Sequence, residues 1–103
     1  MATRYIMTHE VIRREEARLL RIFEAYPVNG RKTNTGTIKM IREEIGNMTF
    51  RIARKCNVSV NYPRWSIQGK KVVLGEPSVL LPTLRYVSFE ELKAIELGYE
   101  GDA

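Results

Sequence analysis

Arg51, Arg54 and Lys55 are the residues whose types and spacing point to chemistry, and that chemistry is anion binding. At about 100° per residue, residues 49–56 place Thr49, Phe50, Ile52, Ala53 and Cys56 on one continuous arc. The three cations fill the other arc. A helix with one wall for a core and three cations opposite suits a polyanion, and a nucleic-acid backbone is the large anion it fits. Such a solvated arc is expected to tolerate alanine within about 0.5 kcal/mol at each position. Covalent chemistry finds less. His9 and Cys56 are the single His and the single Cys, and there is no Cys-x-x-Cys or His-Glu-x-x-His spacing and no Gly-rich phosphate loop. Glu15-Glu16, Glu43-Glu44 and Glu90-Glu91 are adjacent pairs. Adjacent helical residues diverge by about 100°, so such a pair does not converge on one metal or one scissile bond. The pairs read as solvated helix faces, and His9 reads as an exposed residue near a helix start. No enzymatic activity, catalytic residue, metal ligand or cofactor is expected.

Charge divides the chain. Residues 1–75 carry 15 Lys/Arg against 6 Asp/Glu, whereas residues 76–103 carry 2 against 6. The net charge is +5 and the isoelectric point is near 9.6. A length of 103 residues with 44% hydrophobic and 28% charged side chains describes one folded domain rather than a disordered chain. The lone Cys56 lies on an apolar arc and reads as a reduced core residue of an intracellular, cytoplasmic protein. No apolar run approaches a membrane span, and no signal-peptide core is read at the N-terminus. No membrane association is expected.

The elements that must position the cations follow from periodicity. Thr8 is a candidate N-cap with Glu10 in the first turn, and the first helix runs to about Tyr26, before Pro27. Val11, Ile12, Leu19, Ile22, Phe23 and Tyr26 share one face, and Arg14, Arg18 and Arg21 share the other. Those arginines are either a solvated face or a second phosphate-facing stripe. Residues 28–36 form a loop holding Arg31 and Lys32. Residues 38–45 predict a short second helix, Gly46-Asn47 a break, and residues 49–56 a third helix. An alternative treats residues 50–60 as one long strand, because Phe50, Ile52, Cys56, Val58 and Val60 alternate. Residues 65–67 and 70–74 predict a hairpin turning at Gln68-Gly69, with further short strands at 79–81 and 84–87. Ser88 and Glu91 make a capping box, and Val87 and Leu92 a hydrophobic staple, for a last helix ending at Gly98. Residues 99–103 read as an acidic tail.

The order of short helix, Gly-containing turn, basic helix and cationic hairpin over residues 9–75 resembles the winged helix-turn-helix superfamily. Ile41, Ile45, Gly46 and Ile52 carry the resemblance, together with the wing Trp65-Ser66-Ile67-Gln68-Gly69-Lys70-Lys71-Val72-Val73. Arg42 departs from it, standing where a small residue is usual, and Met48 adds an apolar residue to the turn. A rival frame with Ala53 at the tight position fails because its second helix would contain Pro63. The expected fold is α+β: a small winged-helix-like domain of three helices and a β-hairpin wing over 9–75, then a strand-and-helix extension over 76–98. The resemblance implies a transcriptional regulator that binds double-stranded DNA. Asn47, Thr49 and Arg51 would lie near base edges, Arg54 and Lys55 would hold phosphates, and Arg64, Lys70 and Lys71 would serve the wing. A homodimer is expected, since one small domain buries little surface, and the acidic C-terminal part could meet a protein partner. Two alternatives share the charge pattern: a protein-interaction module with its basic face on an acidic partner, and an RNA-binding α+β domain.

Overall fold

A computed structural model describes residues 7–98. Among them the fold is α+β: helices α1 (Thr8–Ala25), α2 (Thr35–Cys56) and α3 (Phe89–Glu96), and strands β1 (Ser59–Asn61), β2 (Trp65–Gln68), β3 (Lys71–Leu74), β4 (Ser78–Leu80) and β5 (Tyr86–Ser88). The expected acidic tail at 99–103 lies outside the described residues.

The two long helices pack on each other and define the long axis of a body measuring 52 × 24 × 22 Å. α1 buries Val11, Ile12, Leu19 and Phe23, as its periodicity requires, while Tyr26 at its end is exposed. Pro27 follows directly, because proline lacks the N–H that another turn would need. A short 3-10 turn, Gly30–Lys32, leads into α2, where the Asn34 Oδ1 accepts from the Gly36 N–H at 2.7 Å.

α2 corrects the expected helix-turn-helix. Residues 38–45 and 49–56 are parts of one 22-residue helix that runs through Gly46 and Asn47. The break is absent because the buried stripe is not interrupted: Ile41, Ile45, Met48 and Ile52 all reach the core, and Gly46 and Asn47 face solvent. A helical glycine costs about 0.5–1 kcal/mol relative to alanine. Burying a Met or Ile side chain contributes about 1.5–3 kcal/mol, so the stripe wins. Met48 is therefore a core residue and not part of a turn. The same finding removes the long strand over 50–60. α2 ends at Asn57, whose left-handed φ of 55° lets the following Val58 N–H donate to the Ala53 carbonyl at 3.2 Å.

The strands form two separate sheets. β1, β4 and β5 make an antiparallel sheet in the order β1-β4-β5, with Val60, Val79 and Val87 in register on its inner face. β2 and β3 form the expected hairpin, pairing Trp65 with Leu74 and Gln68 with Lys71. Its two-residue turn is Gly69-Lys70, one residue later than the sequence suggests. Gly69 takes a φ of 61° at the first central position while Lys70 keeps a negative φ, the requirement of a type II′ turn. At the base of the hairpin the Gly75 N–H donates to the Arg64 carbonyl at 2.7 Å, and a Cβ on Gly75 would come within 2.6 Å of that oxygen.

α3 has half of the capping box. The Ser88 Oγ accepts from the Glu91 N–H at 3.1 Å, but the Glu91 carboxylate turns to Arg85 Nη1 at 2.9 Å. Val87 and Leu92 are both buried, as the staple requires.

Continuity of α2 has a direct test. Gly46 is exposed, its φ is not left-handed, and an added Cβ would meet nothing within 4 Å. Gly46→Ala should therefore raise stability by about 0.4–1 kcal/mol in urea unfolding. Destabilisation would show that Gly46 serves a turn after all.

Candidate nucleic-acid interface

The eight expected site residues do not form one surface. Arg51 and Lys55 are committed to Glu15, a carboxylate that is 5% exposed in the middle of α1. Arg51 Nε and Nη2 donate to Glu15 Oε1 at 3.0 and 2.9 Å, and Lys55 Nζ donates to Oε2 at 3.0 Å. Burial pushes the Glu15 carboxyl up, but the hydrogen bonds and charges of Arg51 and Lys55 outweigh it and hold the group below its ordinary range. Two of the three cations on the basic arc are thus structural, and the expectation of a freely substitutable arc is corrected.

Thr49 is half-buried, and its hydroxyl donates to the Ile45 carbonyl at 2.8 Å, a back-bond within the helix. Asn47 is exposed in mid-helix. Arg54 is exposed, with its guanidinium 5.7 Å from the centroid of the Phe50 ring, which is itself 61% exposed. These residues belong to the middle and C-terminal part of α2.

Lys70 and Lys71 sit elsewhere. The Gly30 N–H donates to the Gly69 carbonyl at 2.7 Å and docks the hairpin turn on the loop before α2. From Thr35 to Lys55 a helix rises about 30 Å, so the hairpin tip and the C-terminal end of α2 are at opposite ends of the helix. The docking contact brings Lys70 and Lys71 together with Arg31 and Lys32, and all four are exposed. The N-terminus of α2, three residues after Lys32, adds the positive end of its dipole. Arg64 is exposed at the hairpin base, where it lines a shallow groove with Ser66 and Val73.

Sequence reasoning placed Arg31 and Lys32 in a loop without giving them a role. A signal was present: residues 25–42 contain four cations and residues 45–75 six, and neither segment contains an Asp or Glu. What the sequence could not show is that a backbone hydrogen bond joins the two segments.

The remaining chemistry-bearing groups are structural. His9 is buried, not exposed: its Nδ1 lies 2.8 Å from Glu96 Oε1. The same carboxylate accepts from the Thr8 N–H at 2.8 Å and the His9 N–H at 3.0 Å. Glu96 therefore caps α1 from α3, and Thr8 is the first helical residue rather than the cap. Burial raises the Glu96 carboxyl, and those hydrogen bonds bring it below its ordinary range. Glu16 accepts from the Tyr62 hydroxyl at 3.2 Å, and burial keeps its carboxyl raised. Burial likewise raises the Cys56 thiol, which suits a packed residue and not a nucleophile. No group of three or more His, Cys, Asp or Glu fit to hold a metal occurs among the described residues, and no described helix is long and apolar enough to cross a membrane.

The clamp on Glu15 sets a pH dependence. Because its folded pKa lies below the unfolded value near 4.5, its contribution is fully present above that pH and is lost as pH falls through the folded value. Glu15→Gln should flatten the acid limb of the stability profile. Arg51→Ala should cost about 1–3 kcal/mol at neutral pH, the range for a hydrogen bond to a charged group. Chemical denaturation across pH 3–7 (roughly the carboxylate range) checks both, and a wild-type acid limb in Glu15→Gln would refute the clamp.

No family model, curated protein or solved structure matches this chain.

Proposed function

We propose that this chain is a non-enzymatic double-stranded DNA-binding protein, a small transcriptional regulator, that grips phosphates with the tip formed by the β2–β3 hairpin and the loop before α2. The observation that carries this reading is the 2.7 Å hydrogen bond from the Gly30 N–H to the Gly69 carbonyl. It gathers Arg31, Lys32, Lys70 and Lys71 at one end of the fold, with all four side chains exposed and drawn from segments that lack Asp and Glu. Clustered, exposed cations with no acidic partner among the described residues, held on a rigid support, suit backbone recognition. The hairpin keeps the role of a wing. α2 loses the role of recognition helix, since Arg51 and Lys55 already hold Glu15.

A homodimer would form at the other end of α2. There β5 is an edge strand, and Leu84, in the loop before it, is 82% exposed with a left-handed φ of 61°.

Binding to random duplex DNA, titrated with salt, tests the reading. Four neutralised phosphates give a log–log slope of about −3.6, from about −0.9 per phosphate. Replacing Lys70 and Lys71 by Ala, or Arg31 and Lys32 by Ala, should each halve that slope roughly, by about 1.8. Lys93→Ala, at an exposed position of α3, serves as the neutral control. Slope and affinity unchanged in both double variants would sink the proposal. Tighter binding to single-stranded RNA, or to an acidic protein, would transfer the tip to one of those partners.

A further inference from the structure

The hairpin has two faces, and the core uses only one. Trp65, Ile67, Val72 and Leu74 point inward and pack on the hydrophobic core. Ser66, Gln68, Lys71 and Val73 form the outer face and are all exposed. The register places Gln68 opposite Lys71 and Ser66 opposite Val73, so the four side chains make one compact rectangle. Cations bracket it, with Arg64 at the base and Lys70 beside the turn. Val73 is 40% exposed although it lies in a strand with a buried neighbour, Val72.

The strands are held at both ends. The turn is docked on Gly30, and the base is closed by Gly75 on the Arg64 carbonyl. The back is packed. A hairpin so fixed presents its outer positions on one backbone geometry, so little backbone order is left to acquire on binding.

We infer that this outer face is a β-ribbon that enters the major groove and reads base edges; the inference rests on the DNA-binding reading above and adds its mode of recognition. The major groove is about 12 Å wide and admits a two-stranded ribbon, whose strands lie about 4.8 Å apart. The side chains match what that groove displays. The Gln68 Nε2 donates to the Ser66 Oγ at 3.4 Å, which leaves its second amide hydrogen and its carbonyl as the donor and acceptor that adenine N7 and N6 complement. Ser66 has a hydroxyl that donates or accepts. The exposed Val73 methyls fit the methyl group of thymine. Lys71, on the same face, reaches a guanine edge or an adjacent phosphate. The face therefore favours a site containing an A·T pair at the position opposite Gln68.

The test is selection of the full chain on a pool of randomised duplexes, followed by titration of the enriched site. The expected result is an enriched site with an A·T pair at one position. Exchange of that pair for G·C should weaken wild-type binding by about 5- to 150-fold, the discrimination of a bidentate contact. Gln68→Ala should abolish that difference, and Val73→Ser should relax the choice of thymine at the neighbouring position. Circular dichroism checks that both variants fold. Salt-dependent duplex binding with no enriched sequence would overturn the ribbon and leave the phosphate grip standing. So would an enriched site that Gln68→Ala discriminates as well as the wild type does. Loss of all duplex binding would overturn both.

Discussion

A buried carboxylate organises this fold. Glu15 lies in the apolar stripe of α1, and its charge is tolerable there only because Arg51 and Lys55 reach it from α2. Three hydrogen bonds to one carboxylate fix how the two long helices slide and rotate against each other. The clamp and the apolar stripes of α1 and α2 specify the same helix register. Removing either partner would leave the Glu15 charge buried without its full set of donors. Everything else is built on that helical pair: the hairpin packs against α1 through β3, the sheet meets α2 through β1, and α3 closes on the start of α1.

The clamp also partitions the cations. Arg51 and Lys55 are tied to the buried carboxylate, whereas Arg31, Lys32, Lys70 and Lys71 are exposed with no acidic partner among the described residues. A basic sequence therefore yields two cations tied to a buried carboxylate beside many exposed ones, four of which meet at the hairpin tip. Net charge alone does not locate a binding surface. The surface is what remains after internal pairing.

Much of the architecture was legible in local signals. Pro27 ended α1, Ser88 and Leu92 marked the start of α3, and the alternation around Gly69 drew the hairpin. These features depend on residues within a few positions of one another. The continuity of α2 was missed because Gly46-Asn47 is a strong local punctuator. The answer lay in Met48, which joins Ile45 to Ile52 in one buried stripe. Glu15 was misread as part of a solvated pair, although it falls between Ile12 and Leu19 on the stripe that also holds Phe23. Its partners were not readable, being 36 and 40 residues away. The site suffered most from this, because the segments that build the tip meet through backbone atoms, which leave no trace in residue type.

The cap that Glu96 places on α1 has a consequence for how the chain is made. The contact spans 88 residues, so the first turn of α1 is completed by a residue of α3 that is synthesised long after it. Synthesis proceeds at about 5–20 residues per second, so seconds separate the emergence of Thr8 from that of Glu96. During that interval the amide ends of α1 have only water as partner, and His9 lacks its carboxylate. A ribosome-bound chain lacking α3 would thus hold a frayed first helix, however well its core residues had met.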